Sequence, residues 1–155
     1  MKNPITSGPL ASIPLAPLVL GIAGVLPFAL ATIALWVGPS GWQSTAATAI
    51  TAYGFVILAF LGGVHWGRAL SSGSKVQFVW SVLPSLAAFF AAFLTRPSAL
   101  AVLAVAFVAA GVYDIIAFGR AGPRWYATLR LWLTIFVTPL LALSAIALAG
   151  SSNSM

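Results

Sequence analysis

There is no cysteine in this chain, no glutamate, one aspartate and one histidine. The missing cysteine excludes a disulfide framework, a thiolate nucleophile, an iron–sulfur cluster and a thiolate zinc site. Charge is nearly as scarce: 5% of the 155 residues are charged, against 61% hydrophobic. A soluble domain carries about 25% charged residues because its surface must be hydrated, and seven basic residues with one acidic one cannot cover such a surface. The formal charge of +6 does not point to nucleic acid, because the basic residues stand singly between apolar runs rather than clustering on one polar face. In a membrane protein such scattered cations set orientation and attract anionic lipid.

What is present is a set of apolar stretches of about 20 residues, the length that spans a hydrocarbon core of roughly 30 Å. The expected fold is all-α, a polytopic bundle of five transmembrane helices at Leu15–Val37, Gln43–Leu70, Gln77–Leu94, Ala99–Phe118 and Trp125–Ala149. Breaks at "GPSGW", "SSGSK", "TRPS" and "GRAGPR" separate them, each rich in glycine, proline or polar residues. The expected organisation is a short N-terminal tail over 1–14, one transmembrane domain over 15–149 and a polar C-terminal tail over 150–155. The N-terminal stretch reads as an uncleaved span: only Lys2 supplies a basic start, and the apolar run continues to Val37, too long for a signal peptide.

With five spans, Lys2, Arg68, Lys75, Arg120, Arg124 and Arg130 fall on one side and Arg96 alone on the other. The positive-inside rule then predicts a cytoplasmic N-terminus and a periplasmic C-terminus in a bacterial inner membrane. Trp36 and Trp42 suit the outer interface, and Trp66, Trp80, Trp125 and Tyr126 the inner one. Between lipid-bathed helices, small residues let backbones approach, so Gly21, Gly24, Gly54, Gly111 and the Gly63–Gly67 pair are the expected packing positions. Pro27, Pro84 and Pro139 lie inside spans and each removes a backbone donor.

The polar chemistry gathers at one depth. His65 lies about five residues, roughly 7 Å of helix, from the inner end of the second span. Asp114 and Arg130 fall at similar depth on the fourth and fifth. His65 and Arg68 share a face at i and i+3, as Arg130 does with Thr134 and Thr138. Ionisable groups inside a bilayer turn inward and pair, so Asp114 is expected to meet Arg130, Arg68 or His65 and hold three spans together. Two readings stay open: a structural salt bridge with snorkelling arginines, or an inner-leaflet pocket for an anionic lipid, a quinone or a small anion. In the second, His65, Trp66, Arg68, Asp114, Tyr126 and Arg130 are the candidate ligand-binding residues, with Tyr113 and Trp125 as further walls. A proton relay through His65 lacks a polar path toward the other leaflet.

Catalysis finds little support. One histidine and one aspartate cannot supply the three or four ligands of a zinc or di-iron site. Ser71 and Ser72, near His65 in sequence, sit in an ordinary loop without a nucleophile elbow. No cofactor is expected; a haem held by His65 has no marked second ligand.

The stretches "AYGFVILAFLGGVHWGRAL" (52–70), "WSVLPSLAAFFAA" (80–92) and "LRLWLT" (129–134) resemble an uncharacterised membrane family of bacterial inner-membrane proteins and the eukaryotic mitochondrial transmembrane protein 69. The likeness covers about residues 18–146. It implies that His65, Trp66, Pro84 and Arg130 belong to a shared core, and it brings no activity or cofactor. The expected function is a non-enzymatic accessory subunit or assembly factor of an inner-membrane complex, its partners being lipids and other integral membrane proteins or further copies of itself. The alternative is a binder of lipid, quinone or small anion at the His/Arg/Asp cluster, with transport a weaker third because no internal repeat is evident.

Overall fold

The computed structural model describes residues 13–121 and 123–152, and the side chains of all of these except 40, 120, 121, 151 and 152. Lys2, the segment 1–12 and the last three residues of the C-terminal tail lie outside the described residues, as does the side chain of Arg120. The described residues form five α-helices: α1 (Leu15–Val37), α2 (Gln43–Ser72), α3 (Lys75–Ala91), α4 (Arg96–Ala121) and α5 (Arg124–Ser152), with a single 3-10 turn at Ser40–Trp42 before α2.

The breaks lie where local chemistry puts them. Gly38, followed by Pro39, ends α1, its N–H reaching the Ala34 carbonyl. Gly73 ends α2 in the left-handed conformation, φ 66°, with its N–H on Ala69. That conformation favours glycine because a Cβ would crowd the carbonyl. Ser74 then caps α3 by accepting from the Gln77 N–H.

Among the described residues, four helices are long and apolar enough to cross a membrane: α1, α2, Arg96–Gly119 of α4 and Arg124–Gly150 of α5. α3, with 17 residues, is a shorter apolar helix. The sequence places this span at 77–94; instead the helix starts two residues earlier and ends at Ala91, and the chain turns through 92–94. Pro97 sits in the first turn of α4, where a missing N–H costs no intrahelical hydrogen bond.

α2 touches all four other helices, and α4 with α5 forms the most extensive pair. The interior holds Phe28, Leu58, Leu100, Leu103, Phe107 and Leu141. The outside is equally apolar: Leu20, Val37, Phe60, Phe90 and Val105 expose between 64% and 78% of their surface. Contiguous apolar exposure on this scale is untenable in water and is what a lipid-facing surface requires.

Glycines set the helix separations. A Cβ on Gly62 would run into the backbone carbonyl of Ser81, so α2 and α3 touch backbone to backbone beside Pro84. One on Gly111 would strike the Thr134 side chain, and one on Gly54 would come within 2.8 Å of Leu103. Gly21 and Gly24 of α1 face Leu129 and Tyr53. The Gly63–Gly67 pair corrects the sequence reading: a Cβ at either would meet nothing within 4 Å. The buried stripe of α2 is Leu58, Leu61, Gly62, His65 and Ala69, which turns Gly63 and Gly67 outward.

α1 is attached by polar stitches as well as packing. The Tyr53 hydroxyl donates to the Gly24 carbonyl at 3.1 Å, next to the Ala23 carbonyl that Pro27 leaves without its helical donor. Toward the other end, the hydroxyls of Thr32 and Ser144 meet at 2.9 Å, both buried, and Thr32 also donates to the Phe28 carbonyl.

Candidate functional site

His65, Asp114 and Arg130 form one buried triad, each exposing 5% of its surface or less. Asp114 of α4 is its centre. One carboxylate oxygen, Oδ1, lies 2.5 Å from His65 Nε2 of α2; the other, Oδ2, accepts from Arg130 Nε of α5, also at 2.5 Å. A single carboxylate thus ties three helices. An ionised carboxylate only accepts, so His65 Nε2 is the donor in this contact. The partnership answers which side chain Asp114 meets: both Arg130 and His65.

The local sequences make this convergence possible. Ala110, Gly111 and Asp114 lie on one face of α4, and the absent side chain of Gly111 lets α5 approach so closely that Thr134 occupies the space of its Cβ. Arg130 is one turn before Thr134, which brings its guanidinium level with Asp114. His65 follows Gly62 on the buried stripe of α2.

Aromatic rings close around the triad. Tyr113 meets the His65 ring edge-on at 4.9 Å and stacks on Trp80 at 4.0 Å, while Phe118 lies 5.7 Å from His65 and 4.3 Å from Tyr126. Such rings exclude water and hold the field between the charges strong. The packing of Trp80 on Tyr113 and of Phe118 against His65 has no signature in the sequence beyond their types. Arg68 takes another post than the triad: its guanidinium sits 4.1 Å over the Phe118 ring and donates to the Ala117 carbonyl near the end of α4, a favourable place for a cation. Trp66 departs from the expected cluster. It pairs edge-on with Phe78 and exposes 47% of its surface, because it shares the outward side of α2 with Gly63 and Gly67.

Several donors and acceptors on the triad's helices are buried with no hydrogen-bond partner among the described residues: His65 Nδ1, Arg130 Nη2, and the hydroxyls of Thr134 and Thr138. An unsatisfied buried polar group costs about 1–3 kcal/mol. The triad therefore still has hydrogen-bonding capacity after its ion pairs are made.

Arg130 also reaches a cleft of about 280 Å³ between α1, α2 and α5, close to the lower end of the about 300–1,000 Å³ typical of ligand pockets. Gly21 and Gly24 of α1, Ile57 and Phe60 of α2, and Leu133 and Val137 of α5 give it apolar walls. Among the described residues, Arg130 is the one charged group in those walls, and Tyr126, one turn earlier on α5, adds a phenol. Of the six residues proposed from sequence for ligand binding, the structure gathers His65, Asp114 and Arg130 into the triad, puts Arg130 and Tyr126 in the cleft, sets Arg68 against Phe118, and turns Trp66 away.

Removing one partner of a buried ion pair leaves an uncompensated charge and costs about 3–5 kcal/mol. Asp114→Asn is expected to lower thermal stability in detergent micelles by an amount of that order, whereas Arg68→Ala changes it much less. The double variant Asp114→Leu/Arg130→Leu should recover most of the loss, since an apolar replacement of the whole pair leaves no stranded charge. Equal melting temperatures for Asp114→Asn and Arg68→Ala would contradict the central role of the carboxylate.

Comparison with known proteins places the chain in a family. A family model described as "Protein of unknown function (DUF3429)" matches residues 13–146. Transmembrane protein 69 of Xenopus tropicalis is 34% identical over 124 residues, which is 76% of this chain and 49% of the relative; the chain thus spans about half the length of that relative. No solved structure matches. The match runs from before α1 into α5 and includes every residue of the triad, and this multi-pass membrane protein belongs to the DUF3429 family of unknown function.

Proposed function

We propose that this protein is a non-catalytic membrane protein that holds a lipid-like molecule in the cleft between α1, α2 and α5. The observation that carries this reading is the cleft's composition: apolar walls, with Arg130 and Tyr126 as polar groups on adjacent turns of one helix. That is the pattern of a site for an amphiphile, whose chain needs a dry surface and whose head needs a few placed donors. Exposed Leu20 and Phe60 in the wall give the cleft an apolar, lipid-facing rim. The mutual pairing of His65, Asp114 and Arg130 supports a positioning role for the triad rather than a chemical one.

Gly24 offers a test that leaves the triad untouched, since the nearest atom to a Cβ there is the Tyr53 hydroxyl at 3.8 Å. Native mass spectrometry of the full chain in mild detergent should show one lipid-sized adduct on the wild type and its loss in Gly24→Leu. Identical adduct patterns in the two proteins would refute the reading.

A second reading, an accessory subunit of an inner-membrane complex, is favoured by the outward strip of Gly63, Trp66 and Gly67, the kind of surface on which another transmembrane helix packs closely. Under it, a stoichiometric partner chain copurifies with the wild type and with Gly24→Leu but not with Gly63→Leu/Gly67→Leu. A partner retained by the last variant removes the role of that strip.

The proposed topology is five crossings of a bacterial inner membrane, with the N-terminus cytoplasmic. Its support is the course of α3: the helix starts beside the end of α2, and Ala91 and Ala92 line a groove with Thr48 and Arg96 near the starts of α2 and α4. At that end Arg96 donates to Ser44 and Thr48. Activity reporters fused after Ser74 and after Thr95 are expected on opposite sides of the membrane. The same side for both would make α3 a non-spanning helix.

A further inference from the structure

We propose that Arg96 and the groove beside it form a second lipid site, at the end of the bundle away from the triad, which takes an anionic phospholipid by its phosphate. The charge inventory gives the first ground. Asp114 is the one acidic side chain in the sequence. It lies roughly 27 Å further along α4 at helical rise, with both oxygens committed to His65 and Arg130. No side-chain carboxylate of this chain can pair with Arg96, so its counter-charge comes from solution or from the bilayer. The guanidinium is nonetheless held in place. Nη1 donates to the Ser44 hydroxyl at 3.4 Å and Nη2 to the Thr48 hydroxyl at 3.1 Å, while the Thr48 hydroxyl gives its own proton to the Ser44 carbonyl at 2.9 Å. Those bonds to α2 spend only part of a guanidinium's five donors. The rest are open to an anion, and their planar fork matches phosphate oxygens.

The groove decides between the two sources. It opens where α3 ends at Ala91 and the chain turns through 92–94 before α4 begins, and it has a volume of about 250 Å³. Its walls change character with depth. Arg96 and Thr48 stand near the starts of α4 and α2, Thr51 lies about one turn further along α2, and Phe55 another turn on. The Thr51 hydroxyl is turned back on the Ala47 carbonyl, so the deeper part offers apolar surface, with Ala52 and Ala99 leaving room beside Phe55. A free inorganic anion uses the upper end alone. A phospholipid uses both, its phosphate at Arg96 and the first part of an acyl chain along Phe55, the direction in which a lipid of that leaflet points. Nothing acidic is there to receive the ammonium of a choline head, so the site favours phosphatidylglycerol over phosphatidylcholine. Exposed Ala52 and Leu94 open the groove to the bilayer. Its occupant therefore exchanges with the surrounding lipid and is stripped by detergent unless lipid is added.

The test is native mass spectrometry of the full chain in mild detergent, titrated with dioleoyl phosphatidylglycerol or dioleoyl phosphatidylcholine. The wild type should retain the phosphatidylglycerol adduct roughly fivefold more than the other, as one arginine beside an anionic head provides. Arg96→Gln should erase that preference, whereas Arg124→Gln, which removes a cation at the opposite end, and Gly24→Leu, which fills the α1–α2–α5 cleft, should leave it unchanged. Ala52→Phe keeps the cation and fills the deeper groove. It should lose the adduct at the wild-type melting temperature, which separates a lipid site from charge alone and from misfolding. A preference that survives Arg96→Gln, or that Arg124→Gln or Gly24→Leu lowers as much, overturns the site. Phosphatidylglycerol binding that Ala52→Phe leaves intact, or that millimolar inorganic phosphate displaces, overturns the phospholipid as its occupant.

Discussion

A carboxylate inside a hydrocarbon slab has few stable options, and Asp114 takes one of them: both of its oxygens are committed to partners on different helices. Isolated, the charge would cost several kcal/mol to bury; shared between a guanidinium and an imidazole N–H, it becomes a fixed joint. The joint sets more than distance. It fixes the rotation of α2, α4 and α5 about their axes, because only one face of each carries the matching group. Those rotations in turn turn Gly63 and Gly67 outward, set Tyr113 and Phe118 against His65, and place Arg130 in the wall of the neighbouring cleft.

The joint closes only because the backbones come close enough, and that closeness is written in glycine. Helices in lipid gain nothing from hydrophobic exclusion, so van der Waals contact and polar pairing must hold them. Gly62 brings α2 against the backbone of α3, and Gly111 brings α4 against Thr134 of α5. Each lies three residues before a member of the triad, Gly62 before His65 and Gly111 before Asp114. At that spacing a glycine and a polar residue share a helix face, so the helix approaches at the glycine and pairs at the polar residue about one turn on. α1, which has no member of the triad, is attached more lightly, through Phe28, the Tyr53 hydroxyl and the Thr32–Ser144 pair.

Much of this was legible in the sequence, and for definite reasons. Long apolar runs with glycine and proline breaks fix helix number and approximate bounds, and α1 matches the sequence reading residue for residue. A lone aspartate among cations has little choice but to pair, so a contact with Arg130, Arg68 or His65 could be anticipated from depth, though not which of them. What depth does not give is azimuth. Gly62, Gly63 and Gly67 are alike as residue types, and a shift of one position along a helix turns a group by about 100°, enough to exchange an interior place for a lipid-facing one. The G-x-x-x-G spacing drew attention to the wrong pair, while the glycine that α3 needs sits beside it. Trp66 was misplaced for the same reason, being adjacent to His65 in sequence and therefore on another face. The early end of α3 was hidden because an apolar run that continues through a turn looks like one that continues through a helix. The Thr32–Ser144 hydrogen bond links residues 112 apart, and in a sequence each is only a hydroxyl in an apolar stretch.

Arg130 connects the stable part of the molecule to the open one. It is as deeply committed to Asp114 as any structural ion pair, and it also forms part of a cleft whose other walls come from α1 and α2. These two roles constrain each other. An arginine held only by Asp114 could be exchanged for an apolar pair with little loss, and nothing in the packing of α4 against α5 would demand five donors where an ion pair uses one or two. A guanidinium that lines an apolar cleft and keeps an unused buried N–H is easier to understand if the cleft side of the residue also matters. On the proposed reading, the triad holds that guanidinium still in the wall of the cleft.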